Sequence, residues 1–209
     1  MGRPHSRRAY ASAPANSSPS QPRTLPGKPY AYESLPCCTV TRLRDEPPRS
    51  LEDPKEILLE QLSYYRATVL AKLDGLNPDQ LTRSIVPSGW TPLGLLRHLA
   101  FVERRWMQWG FEAEQMSDPR GDEDPDSKGW IVMPEDTVAT LGAWWATIAD
   151  RTEAVARNAE LTDRAQLGGR FSSDPPTLGW ILAHLLQEYA RHVGHLDLVR
   201  ELIDGSVGE

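Results

Sequence analysis

The chain has 209 residues, 39% of them hydrophobic, and a formal net charge of −6. Residues 1–50 carry eight basic and three acidic side chains and the remaining residues carry fifteen and twenty-six, so the charge of residues 51–209 is near −11. This acidic balance argues against nucleic-acid binding, and no apolar run is long enough to span a bilayer. The length suits one domain with a sizeable core.

The N-terminal part differs in composition from the rest. Nine of the eighteen prolines lie within the first fifty residues, where aliphatic residues are few. Residues 1–48 are therefore predicted to be a disordered, Pro/Ser-rich tail, and residues 49–209 the folded domain. Cys37 and Cys38, the only cysteines, belong to this tail. A core without cysteine suits a reducing cytoplasm, which is the predicted location.

Helical periodicity predicts four long helices and no strand after residue 50. The helices are predicted over residues 51–76, 91–114, 134–160 and 177–205. Asn77 is predicted to cap a short extra turn, and Thr91 to cap the second helix, with Pro92 at its first position. Four amphipathic helices joined by moderate loops are typical of an all-α four-helix bundle.

Two of these helices begin alike. The segments TPLGLLRHLAFVE, from Thr91, and TLGWILAHLLQE, from Thr177, share a threonine cap, a Leu-Gly pair and a His-Leu pair. The similarity indicates two helices that follow the same start rules and does not prove a duplication.

Three of the five histidines lie in one run of the last helix, HLLQEYARHVGHLDL. At about 100° per residue, with His184 at zero, Glu188 falls near 40°, His192 near 80° and His195 near 20°. The apolar face of this helix spans roughly 60° to 200°. The four polar groups are therefore predicted to form a stripe at the margin of the buried face. His192 is expected furthest inward and Glu188 next, with the other two histidines nearer to solvent.

The second helix carries a similar arrangement. His98 lies at the edge of its apolar face, and Glu103 lies within that face, where a carboxylate needs an arginine or a histidine N–H as partner. Trp106 and Trp109 fall on the side of His98 and are candidates for lining a cofactor-binding cavity. Core packing is the simpler interpretation of both tryptophans.

A metal site would explain these residues. Glu188 and His192, four apart on one helix, can share a metal ion. His98 from a facing helix would complete three protein ligands and leave positions open, as in catalytic sites. Two histidines and one carboxylate fit Zn²⁺, which we favour, and also Fe²⁺ or Ni²⁺. The alternative is a set of histidines at the bundle edge paired with Glu188 or with loop carbonyls.

The segments LSYYRATVLAKLDGL, GLLRHLAFVERRW and HLLQEYARHVGHLDLVRELIDG resemble the DinB-like superfamily. The resemblance is greatest to its actinobacterial branch of uncharacterised domains that includes the mini-circle protein. It implies a four-helix bundle whose divalent metal is held by a histidine of the second helix and two ligands, four apart, of the last.

Carried over to this sequence, the resemblance implies His98, Glu188 and His192 as metal ligands. Many relatives have histidine at the position of Glu188, whereas the mycothiol-dependent maleylpyruvate isomerase of the superfamily is similar in its His, Glu and His set. His195 stands where many relatives have glutamine, which implies a place behind the ligands or facing the substrate. His184 is expected at the helix edge.

The resemblance implies a metal-dependent enzyme that acts on a small-molecule substrate with a mycothiol-like thiol, as a transferase, isomerase or hydrolase. The ion would lower the pKa of a thiol or water, and Glu103 or His195 could relay protons. Two alternatives stay open. One is a non-enzymatic metal or small-ligand binder, including a dimeric stress-associated protein. The other is a structural bundle whose polar stripe is the contact face of a homodimer.

Overall fold

A computed structural model describes residues 45–119 and 130–208 of the protein. The predictions for residues 1–44, including both cysteines, and for most of the loop at 118–129 lie outside the described residues. The proposed domain boundary at residue 49 stays a prediction.

The described residues form five helices, and no strand occurs among them. In chain order the helices are α1 (Pro54–Leu73), α2 (Pro78–Thr82), α3 (Pro92–Trp106), α4 (Val138–Arg157) and α5 (Leu178–Asp204). A π-helical turn, Met107–Phe111, continues α3. The predicted all-α class and the four long helices are confirmed.

Capping side chains explain where the helices begin. Thr91 accepts a hydrogen bond from the Gly94 N–H at 3.0 Å, and Thr177 caps α5, as predicted. The first long helix begins later than predicted because Asp53 accepts two backbone N–H bonds at its start. The start of α4 is also later than predicted, because Thr137 and Thr140 form a reciprocal capping box.

The long helices enclose one core. Helix α5 packs along α1 and α3, α3 packs along α4, and α1 also contacts α3 and α4. The apolar interior is built largely from leucines of α3 and α5, with Trp145 and Tyr189 as its largest side chains. No helix among the described residues has the length and apolar character needed to cross a membrane. Because α5 packs along α3, the two helices that carry the candidate ligands lie side by side.

The two Leu-Gly pairs share a structural reason. A Cβ at Gly94 would lie 2.7 Å from the carbonyl oxygen of Trp130, and one at Gly179 would lie 3.2 Å from that of Leu161. In both helices the missing side chain lets a loop carbonyl approach the first turn. The similar helix starts thus correspond to a similar packing of loop against helix.

Candidate metal centre

The three residues predicted as ligands lie together between α3 and α5. His98, Glu188 and His192 each offer one ligand atom, and these atoms lie within 4.8 Å of one another. Each histidine is 7% exposed, and the Glu188 side chain is 17% exposed. The bundle thus brings the imidazole of His98 next to the Glu188 carboxylate and the His192 imidazole, which lie about ninety positions later in the sequence.

The donor set fits a divalent cation such as zinc. Tetrahedral zinc with bonds of about 2.0–2.1 Å places its ligand atoms about 3.4 Å apart. Glu188 Oε2 and His192 Nε2 are 3.5 Å apart, close to that separation. The ring centres of His98 and His192 are 5.1 Å apart, so the second imidazole lies on the same side of the bundle as this pair.

The electrostatics favour an ionised carboxylate at this position. The His192 ring lowers the pKa of Glu188 to about 2, against the opposing effect of burial. His184 Nε2 lies 3.6 Å from the other carboxylate oxygen, and burial is the main cause that lowers the pKa of His184. At neutral pH Glu188 therefore presents a negative charge at the site, and a deprotonated carboxylate is the form that a cation binds.

His195 lies directly behind His192. The Nδ1 atoms of the two rings are 3.2 Å apart, so one carries a proton and the other accepts it. If His192 binds a metal through Nε2, its proton resides on Nδ1 and is donated to His195. His195 then carries its own proton on Nε2. Burial first, and then His192, lower the pKa of His195, which favours this neutral form.

Two tryptophans that the sequence analysis did not select border the site. Trp130 stacks on His98, with ring centres 4.1 Å apart and planes inclined by 13°. Trp90 lies 6.1 Å from the His195 ring. Both tryptophans lie outside the helices, where the sequence has no helical periodicity. No sequence pattern therefore predicted that they border the candidate metal centre. Gly94 admits the Trp130 backbone, and Arg97 Nε donates to the Ile131 carbonyl at 2.6 Å, which holds this segment on α3.

Trp106 and Trp109 have other neighbours. The guanidinium of Arg170 lies 4.0 Å from the Trp106 ring centre and 5.9 Å from that of Trp109. Trp106 also contacts the rings of Trp180 and His184. These contacts place Trp106 beside His184 and both tryptophans near Arg170, and the cofactor-binding role predicted for the two stays a prediction.

Glu103 is fully buried and has the arginine partner that the sequence required. Arg66 donates from Nη2 at 2.5 Å and from Nε at 3.0 Å, and Trp145 Nε1 donates at 2.7 Å. The Tyr189 hydroxyl donates to the same carboxylate, and burial, then the charge of Glu103, raise the pKa of Tyr189. Three donor side chains favour a structural role for Glu103, and its proposed proton relay stays untested.

Comparison with known families identifies the region that contains this site. Residues 57–205, from α1 to the end of α5, match the family described as mycothiol-S-transferase, a DinB-like family. A comparison with curated proteins finds no match. The matched region covers more than half of the chain and contains every candidate ligand, which confirms the DinB-like resemblance. The chain belongs to the mycothiol-S-transferase family.

Proposed function

We propose that this protein is a metal-dependent transferase that joins the sulfur of mycothiol to a small-molecule electrophile. The observation that carries the proposal is the convergence of His98, Glu188 and His192 ligand atoms within 4.8 Å, inside the region that matches the family. Zinc is the metal we favour, because two imidazoles and one carboxylate suit it and leave a position open.

Each site residue has a proposed task. His98, Glu188 and His192 would hold the ion, which when bound lowers the pKa of a thiol that reaches it. His195 holds the ring of His192 through the Nδ1 contact and is proposed to meet the substrate through its remaining nitrogen. The burial of the two ligand histidines limits the water that competes for the site.

The reaction balances without a further reactant. The sulfur–carbon bond forms while the bond from carbon to the leaving group breaks. The leaving group departs with the bonding electron pair, and the thiol proton passes to solvent. The chain's own Cys37 and Cys38 are not proposed as the thiol.

Metal content and conjugation together test the proposal. We expect one divalent ion per chain after reconstitution, and mass-spectrometric detection of the mycothiol thioether with 1-chloro-2,4-dinitrobenzene. His192→Ala should lose both, and the Cys37→Ser/Cys38→Ser double variant should lose neither. Absence of bound metal in the wild type and in His192→Ala alike would show that the site is not a metal centre. A stoichiometric ion without any thioether would instead support the non-enzymatic metal binder.

A further inference from the structure

A cavity of about 370 Å³ adjoins the candidate metal centre. Its apolar walls include Trp90, Trp130, Leu198 and Val199, and His192 and His195 form part of the same lining. None of the described residues that line it is Asp, Glu, Lys or Arg. The cavity therefore joins an uncharged, largely apolar space to one ligand histidine and to the histidine behind it.

We propose that this cavity binds the electrophile, and that the protein selects uncharged, planar, apolar electrophiles. The inference rests on the proposed transferase function and names the substrate class that such an enzyme would accept. Binding in this cavity requires no movement of the helices, because His192 and His195 line the cavity and a molecule inside it lies beside them.

The chemistry of the walls carries this choice. The ring centres of Trp90 and Trp130 are 6.2 Å apart, and their planes are inclined by 47°. A flat substrate therefore packs against the faces of these rings and does not insert between them. A charged molecule would lose its hydration there without gaining an ion pair. The volume is at the small end of the range of about 300–1,000 Å³ for small-molecule sites, which suits a substituted single ring or fused pair of rings.

One polar group can orient the substrate. When His192 donates to the Nδ1 atom of His195, the proton of His195 resides on Nε2. His195 then supplies a hydrogen-bond donor to a cavity that is otherwise mainly apolar. The preferred electrophile therefore carries an acceptor, such as a nitro or carbonyl group. With 1-chloro-2,4-dinitrobenzene the sulfur–carbon bond forms, the carbon–chlorine bond breaks and chloride leaves with the electron pair.

Two leucines one turn apart on α5 provide a matched test. Leu198 and Leu202 are 62% and 69% exposed, so a glutamate at either position should leave the fold intact, but only Leu198 lines the cavity. We expect Leu198→Glu to raise the KM for 1-chloro-2,4-dinitrobenzene about tenfold, because it places a carboxylate at an apolar wall. Leu202→Glu should leave this KM unchanged. Neither variant should change the bound metal, and Leu202→Glu should also leave the KM for mycothiol and the turnover of the small electrophile iodoacetamide unchanged.

An inert ligand separates this inference from the proposed function. 2,4-Dinitrotoluene has the same flat ring and nitro groups but no leaving group, and nitroaromatic compounds quench tryptophan fluorescence. The apparent Kd for 2,4-dinitrotoluene, measured by saturable quenching, should rise about tenfold in Leu198→Glu and in Trp90→Ala. It should not change in Leu202→Glu. If this pattern holds and no thioether forms, the cavity assignment stands and the transferase function is wrong. If thioether forms while Leu198→Glu and Leu202→Glu behave alike in both measurements, the cavity assignment is overturned.

Discussion

The four polar side chains of the α5 stripe differ in how far they turn inward. His192 is buried, whereas Glu188, His195 and His184 are partly exposed. A helix places residues four apart on nearly the same face, so Glu188 and His192 can approach one ion together. The prediction from helical angles that His192 lies furthest inward is confirmed. The angle of a residue around the helix axis determines its burial once one face of the helix is packed.

Substitution of any one candidate ligand tests the metal centre. His98→Ala, Glu188→Ala and His192→Ala each leave two protein ligands, so we expect tight metal binding to be largely lost. Elemental analysis after reconstitution and gel filtration measures the bound ion. Retention of a full equivalent of metal by Glu188→Ala would remove that residue from the ligand set.

His195→Gln is the matched control for these ligand variants. It should retain the ion, with a loss of about 10–100-fold in affinity or activity, because it changes a group that orients a ligand. His184→Gln should change affinity less. If His195→Gln removes the ion while Glu188→Gln retains it, the site is built on His192 and His195 instead.

The buried carboxylate of Glu103 predicts a large effect on stability. Removing its arginine partner with Arg66→Ala leaves a negative charge in the core, and we expect a loss of about 3–5 kcal/mol in the free energy of unfolding. Chemical denaturation measures this loss. Arg66→Met/Glu103→Leu removes both charges and should recover only part of the stability, because the buried donors of Trp145 and Tyr189 then lack their acceptor. A cost below about 1 kcal/mol for the single variant would mean that the ion pair is not needed to neutralise Glu103.

At the level of the helices, the start of α3 serves the site as well as the fold. Thr91 caps it, Gly94 admits the backbone of Trp130, and Arg97 binds the Ile131 carbonyl. The first turn thus holds an irregular segment that presents an aromatic ring to His98. Helix and loop are positioned together, because the loop carbonyl occupies the space of the missing side chain.

Gly94→Ala should therefore destabilise the protein, although alanine normally favours a helix by about 1 kcal/mol over glycine. Its Cβ would lie 2.7 Å from the Trp130 carbonyl oxygen, and a shift of this backbone should cost about 1–3 kcal/mol. We also expect weaker quenching by 2,4-dinitrotoluene, since Trp130 would move. Denaturation and fluorescence titration measure the two effects.

Gly194→Ala is the control for this backbone contact. Gly194 is exposed within α5, and a Cβ there would meet no atom within 4 Å. The substitution should stabilise the protein by about 0.5–1 kcal/mol and leave ligand binding unchanged. Equal losses of stability in Gly94→Ala and Gly194→Ala would show that the Trp130 contact does not decide the result.

For the whole bundle, a metal bound between α3 and α5 would link two helices far apart in sequence. Binding to the folded state alone stabilises it by about 2.7 kcal/mol at a free-metal concentration 100 times the Kd. We therefore expect a chelator to lower the Tm of the wild type. His192→Ala should show the lower Tm already and respond little to chelation. An identical response of both proteins would place the effect elsewhere. Homodimer formation stays a separate prediction, which light scattering can test.

Much of this protein follows from local patterns in its chain. The spacing of apolar residues, the capping residues and the Pro/Gly breaks predict the helices, because these signals act within a few residues. The 3.6-residue repeat also predicts on which side of its helix His98 lies and on which side of α5 the polar stripe lies. The match of residues 57–205 to the family agrees with the DinB-like resemblance of the same segments. The acidic charge balance, which argues against nucleic-acid binding, is likewise a property of the sequence alone.

The neighbours of each site residue depend on contacts that no local pattern contains. Trp130 reaches His98 because a loop carbonyl meets Gly94, and Glu103 is neutralised by Arg66, 37 positions earlier in the chain. The same packing directs Trp106 toward Arg170. Helical periodicity specifies the direction in which a side chain leaves its own helix. The partner that it meets is decided by how distant helices and loops pack, because a compact core brings together residues whose sequence separation carries no record of their contact.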